Sequence, residues 1–151
     1  MDIEKLLQLL NENNVRYVII GATAFPVFGY ARATLDLDIF IANDVQNIKK
    51  TLHVLQEFGY DVSDLTEKDL KENKILIRQY ILETDIHPFV KGVTFEKVWQ
   101  NKVTSKIGST NAYFASLDDL IKMKTAAGRP KDLEDLKVLK KLAKNPKGYP
   151  N

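Results

Sequence analysis

Two aspartates, Asp36 and Asp38, interrupt the apolar run Leu35-Asp36-Leu37-Asp38-Ile39-Phe40-Ile41. Aspartate is depleted in β-strands, so a pair inside one calls for a reason. Strand alternation over residues 34–42 sends Leu35, Leu37, Ile39 and Ile41 to one face, and Thr34, Asp36, Asp38 and Phe40 to the other. The two carboxylates then share a face, with backbones about 6.6 Å apart. Left alone they repel and resist burial. A hard divalent cation relieves both problems, because Mg²⁺ takes carboxylate oxygens together with phosphate oxygens. The competing reading is the wet face of an antiparallel strand.

Fifteen residues before Asp36 stands Gly21, in Val18-Ile19-Ile20-Gly21-Ala22-Thr23-Ala24. A strand, a glycine and then small residues opening a helix can present backbone N–H groups to a phosphate. Taken by itself, such a passage is usually only a turn. Between the two motifs lies Arg32, suited to pairing with a phosphate or steadying a carboxylate, or to an ordinary surface ion pair.

The elements that must position these groups follow from periodicity. Residues 2–13 repeat Ile3, Leu6, Leu7 and Leu10 at helical spacing. Residues 15–20 are short, β-branched and apolar, as in a buried strand. Residues 22–28 read as a short helix weakened by Pro26. Asp44 caps a helix to about residue 58, stopped by Gly59. Residues 61–73 read as a polar loop with at most a helical turn. Residues 74–79 and 80–86 make one long strand or two paired ones, and residues 94–100 a short helix carrying Trp99. Residues 103–107 and 112–115 flank a hairpin-like connection at 108–111. Ser116 opens a helix that Gly128 stops, and Pro130 begins a last helix with Leu133, Leu136, Leu139 and Leu142 inward. The tail, residues 145–151, is expected to fray. Mixed strands and helices without strict βαβ alternation imply an α/β (α+β) fold, a small mixed sheet flanked by helices with a C-terminal helical hairpin. The expected organisation is one domain over residues 1–151, with a core to about residue 115 and helices from about 116 to 144.

Composition narrows the chemistry. At 151 residues, 44% hydrophobic and 28% charged, the chain is ordinary for a globular domain rather than a disordered one. With no cysteine, a thiol nucleophile, a disulfide framework and a zinc–thiolate centre are excluded. No apolar run approaches the ~20 residues of a membrane helix. Met1 is followed at once by Asp2 and Glu4, unlike a secretory signal, so cytoplasmic residence is expected. The net charge is only +2, but residues 120–151 hold nine Lys/Arg against three Asp/Glu, which leaves the rest acidic. A basic end on an acidic body could attract an anionic ligand, or could be a solvated helix face.

Gly21-Ala22, the short helix, and Arg32-Ala33-Thr34-Leu35-Asp36-Leu37-Asp38 together resemble the nucleotidyltransferase superfamily, the DNA polymerase beta-like fold. That pattern is a strand ending in Gly-Gly or Gly-Ser, a helix, then Asp-x-Asp on the next strand. The Arg-x-Thr-x-Asp-x-Asp form is similar to the small stand-alone branch of AbiEii-type toxins and antibiotic nucleotidyltransferases. Residues 120–136, with Lys124 followed by Arg129-Pro130-Lys131-Asp132 and Asp135-Leu136, resemble the same branch. The resemblance implies a third carboxylate on a neighbouring strand, a position that Asp85 fits.

It also implies the activity: transfer of a nucleoside monophosphate from an NTP to an acceptor hydroxyl or phosphate, with release of pyrophosphate. Asp36, Asp38 and Asp85 are the implied catalytic and metal-binding set for Mg²⁺ or Mn²⁺. Gly21, Ala22, Thr23, Arg32, Thr34 and Lys124 are the implied nucleotide-binding set. The acceptor is left open among an RNA end, a protein and a small molecule, and the toxin branch implies an antitoxin partner. Ala22 departs from the pattern, which has Gly or Ser there; Thr23 offers the nearest hydroxyl. The alternative is a non-catalytic nucleotide- or partner-binding module on the same fold. Several neighbours carry two readings. His87 and Glu83 share the face of Asp85 by period two, as substrate or supporting groups or as structural ones. Asp132 either buttresses Lys124 or Arg129 or serves as a first-turn helix carboxylate. Phe25, Tyr30 and Trp99 either stack a base or pack the core.

Overall fold

The computed structural model describes residues 2–32, 36–79 and 82–144. Thr34, the first residues of its expected strand, residues 80 and 81, and the tail at 145–151 lie outside them. The strands are β1 (Tyr17–Ile20), β2 (Asp36–Ile41), β3 (Ile75–Ile77), β4 (Glu83–His87), β5 (Val103–Ile107) and β6 (Thr110–Phe114). They form one mixed sheet in the order β3-β4-β2-β1-β6-β5. Tyr-Val-Ile-Ile of β1 has no polar aliphatic position, and all four residues are buried, as a central strand requires. Leu37, Ile39 and Ile41 of β2 are at most 1% exposed. Burial of each such side chain contributes about 1.5–3 kcal/mol and fixes which way the alternate aspartates must face.

Pairing direction aligns the site. β2 runs antiparallel to β1 but parallel to β4. The parallel register places Asp36 beside Glu83, Asp38 beside Asp85 and Phe40 beside His87. A slip of one residue would turn every one of these side chains to the other face.

The helices are α1 (Asp2–Glu12), α2 (Val45–Phe58), α3 (Glu67–Glu72), α4 (Phe95–Gln100), α5 (Leu117–Ala127) and α6 (Leu133–Lys144). Asp44 caps α2 by accepting from the Asn47 N–H. Buried Asn47 in turn accepts from the Arg16 N–H at 2.7 Å and donates to the carbonyls of Arg16 and Ala42, tying α2 to the ends of β1 and β2. Ser116 caps α5, and α5 packs against α6.

Four expectations need correction or refinement. The helix expected at residues 22–28 is two 3₁₀ turns, Gly21–Thr23 and Phe25–Phe28, because Pro26 lacks the N–H that an α-helix would use there. The stretch expected as a loop contains α3, capped by a reciprocal Thr66–Asp69 box. Of the two readings of residues 74–86, the structure has the paired one: β3 and β4 run antiparallel. Leu133, expected inward, is 64% exposed, while Asp132 and Asp135 are buried.

Candidate active site

Asp38 and Asp85 face a cleft of about 390 Å³ whose lining also includes Gly21, Ala22, Arg32, Asp36, His87 and Lys124. Of the nine residues singled out in the sequence, seven therefore meet in one place. Thr34 lies outside the described residues. Thr23 is turned to another use: its hydroxyl donates to the Asp36 carbonyl at 2.9 Å, pinning the first 3₁₀ turn to β2.

The sheet side of the cleft is built by register. Asp38 and Asp85 are lateral neighbours, and ligand atoms of Asp38, Asp85 and His87 lie within 4.8 Å of one another. His87 Nε2 is 2.8 Å from Asp38 Oδ1. Arg78, just beyond β3, donates to Asp85 Oδ1 at 2.6 Å and stands 3.5 Å from Glu83. The Arg78 guanidinium is held more firmly protonated by that bond to Asp85. Glu83 is pushed above the usual carboxylate range, first by a hydrogen bond with Asp36 and then by burial.

Gly21 closes the floor. Its φ is +70°, and a Cβ built there would fall 2.8 Å from Asp38 Oδ2. Only a residue without a side chain allows the turn after β1 to approach the carboxylate so closely.

The helical side holds the cations. Lys124 of α5 donates to Asp132 at 3.1 Å and stands 3.4 Å from Asp135. Arg129 grips Asp132 through two bonds, at 2.7 and 3.1 Å. Arg32 pairs with Asp135, which also accepts from the Tyr30 hydroxyl at 2.9 Å. Asp132 is lowered to about 2, chiefly by Arg129 and then by Lys124. The bond to Asp135 raises the Tyr30 phenol, with burial adding to it. The Lys124 ammonium also lies 5.6 Å from the ring centre of Phe25, which stacks on Tyr30. Phe25 is wholly buried, so its ring is core rather than a platform for a base. Trp99 lies away from the cleft, packed between Phe95 and Tyr113 under Lys102.

The donor set suits a hard divalent ion. Carboxylate oxygens from neighbouring strands converge beside cations, and like-charged oxygens this close gain from a metal between them. Arg78 carries no signal in the sequence, since a lone arginine after the apolar run Ile75-Leu76-Ile77 reads as an ordinary strand end. The pairing of Asp132 and Asp135 with cations is signalled only by their spacing of three on one helix.

A sheet that aligns aspartates of β2 and β4 beside a glycine turn, faced by a helix bearing lysine, is the arrangement of a nucleotidyltransferase. Residues 1–144 match the family described as "Nucleotidyltransferase of unknown function (DUF6036)", and the chain belongs to that family. No curated protein matches it. Among solved structures it is similar to the lincosamide antibiotic adenylyltransferase LnuA with lincomycin bound, at 17% identity and a TM-score of 0.61, over 93% of this chain and 96% of that one. It is also similar to a Thermotoga maritima protein classed as a nucleotidyltransferase, at 15% identity and a TM-score of 0.62, over 89% of this chain and 88% of that one. Those likenesses carry the fold. Among the described residues no helix is long and apolar enough to cross a membrane.

Proposed function

We propose that this protein is a metal-dependent nucleotidyltransferase that moves a nucleoside monophosphate from an NTP to an acceptor hydroxyl or phosphate. The observation that carries the reading is the lateral pairing of Asp38 with Asp85, with ligand atoms of both and of His87 within 4.8 Å. Asp36, Asp38 and Asp85 are the residues to hold Mg²⁺ or Mn²⁺, with His87 at the edge of the set. When bound there, a divalent ion neutralises triphosphate charge and eases loss of the acceptor proton.

The chain's own groups do the rest. The turn at Gly21 and Ala22 offers backbone close to Asp38, where β and γ phosphates can rest against it. Lys124, Arg129 and Arg32 line the opposite wall and offset the negative charge that develops on the leaving pyrophosphate. Asp85, 7% exposed, is placed to accept the acceptor's proton once Arg78 releases it. Cytoplasmic residence and, on the resemblance to the toxin branch, restraint by an antitoxin partner are part of the same reading.

The test is incubation with each α-labelled NTP, Mg²⁺ or Mn²⁺, and RNA, protein and small-molecule fractions of a cell extract. Label transfer with stoichiometric pyrophosphate release is expected, dependent on the metal and lost in Asp38→Asn and Asp85→Asn. Metal-independent transfer, or transfer that survives both substitutions, refutes the reading.

A further inference from the structure

A second cavity, of about 490 Å³, opens on the same face of the sheet. Its floor is Phe40, next after Asp38 on that face of β2 and the lateral neighbour of His87. Phe95 meets Phe40 edge to face at 5.2 Å and forms a wall. Phe89, two residues beyond His87, forms the rim and is 63% exposed. Val90 lines this cavity and the carboxylate cleft alike, so the two meet there. Two residues of strand cover about 6.6 Å, which puts the cavity within one small molecule's length of the aspartates.

The two cavities differ in charge. The cleft is crowded with charged side chains, whereas this one gathers three phenylalanines, and its charged groups are Arg16, Asp44 and Glu96. Its cation, Arg16, is already held: Nη2 donates to both carboxylate oxygens of Glu96 at 2.6 and 2.8 Å, and the guanidinium lies over Phe95 and Trp99. Asp44 lines it too, engaged in capping α2. The lining therefore carries no surplus positive charge. An RNA end would need one, because phosphate contacts dominate its affinity. An exposed aromatic beside an aromatic hollow of this size suits a small amphipathic ligand.

We propose that this cavity seats the acceptor, and that the acceptor is a small uncharged or cationic molecule with an apolar ring system and a hydroxyl group. The proposal rests on the transferase reading above and names its substrate class. The ring system lies against Phe40, Phe89 and Phe95, and the hydroxyl points past Val90 into the cleft. Its oxygen bonds to the α-phosphorus, the bond from that phosphorus to the bridging oxygen breaks, and pyrophosphate leaves with the electron pair. The hydroxyl proton passes to Asp85.

Two measurements test it. The first is amide chemical-shift mapping with phenethyl alcohol as a minimal aromatic alcohol, which needs no transferase activity. Shifts are expected at Phe89, Val90 and Phe95, and their loss in Phe89→Asp; shifts elsewhere, or shifts that survive the substitution, overturn the seat. The second offers labelled NTP and Mg²⁺ to small-molecule, RNA and protein pools separately. Label is expected in the small-molecule pool, with the acceptor KM raised about tenfold or more by Phe89→Asp and the stabilisation by Mg²⁺–NTP unchanged. Label on RNA or protein overturns the substrate class alone. Label in no pool overturns the transferase reading and this acceptor with it, an outcome distinct from the others.

Discussion

On the helical wall of the cleft, Asp132 and Asp135 are almost wholly buried, and between them they engage Lys124, Arg129, Arg32 and the Tyr30 hydroxyl. On the sheet wall, Asp38, Glu83 and Asp85 draw on Arg78 and His87, while Glu83 lies in hydrogen-bond contact with Asp36. The helical carboxylates are outnumbered by their cations; the sheet carboxylates outnumber theirs. A saturated network holds helices in place. An unsaturated one is held in like-charge opposition by strand pairing and has capacity left for a cation from outside. The helical wall is satisfied within itself; the sheet wall is the one left short of positive charge, and under the proposed function it is where a metal would enter.

The strongest way to break that contrast is to neutralise each wall in turn. Asp38→Asn or Asp85→Asn is expected to reduce transfer on the order of 10³-fold, the scale of losing a principal charge stabiliser. Without metal the melting temperature should hold or rise, since repulsion is relieved, and the stabilisation by Mg²⁺–NTP expected of the wild type should vanish. A large fall in the metal-free melting temperature would make the sheet wall structural as well.

Asp132→Asn should do the reverse. Removing one partner of a buried ionic network costs about 3–5 kcal/mol, on the order of 10 °C in melting temperature for a chain of this size. The pH dependence has a definite sign. Asp132 is lowered to about 2, so its contribution is present above the ordinary carboxylate range and is lost as pH falls towards 2. The gap between wild type and Asp132→Asn should therefore narrow from pH 5 to pH 3. A gap of constant width would assign the loss to packing instead.

Lys124 lies on the boundary between the two roles. Lys124→Ala should lower transfer about 10²-fold, whereas Lys140→Ala, the same charge change on the exposed side of α6, should lower it little. Equal losses would mean diffuse attraction by a basic segment, steepened at low salt. The smallest effect is expected from Gly21→Ala. The positive φ costs about 1–2 kcal/mol in a residue with a Cβ, and the methyl group would press on Asp38 Oδ2. A drop of a few degrees in melting temperature with weakened Mg²⁺–NTP binding would place the turn at the site; unchanged binding would leave it as a turn alone.

The sheet wall is far more legible in the sequence than the helical one. Aspartates in a β-branched strand are conspicuous, and period-two alternation alone is enough to put Glu83, Asp85 and His87 on one face. Leu133 shows where such reasoning fails. Hydrophobic periodicity turns it inward, but ion pairing inverts the pattern: the carboxylates beside it go in and the leucine goes out. Periodicity cannot register a charge that is buried because a partner awaits it from another helix. Helix α3 escapes the same reasoning because it is six residues long with only Leu70 buried, so its capping box is the sole signal. Arg78 has no signal, since its role exists only once β3 pairs with β4.

The link from Arg32 to Asp135 joins residues 103 apart in the chain. Translation at about 5–20 residues per second makes Asp135 some seconds after Arg32, and after all three strand aspartates. The newborn chain thus carries its acidic strands for an interval in which Arg32, Tyr30 and Lys124 lack their carboxylate partners. Under the proposed function, completion of the site is a late event of synthesis: a chain halted before residue 132 would carry the aspartates of the sheet but lack the clasp that sets the cations against them.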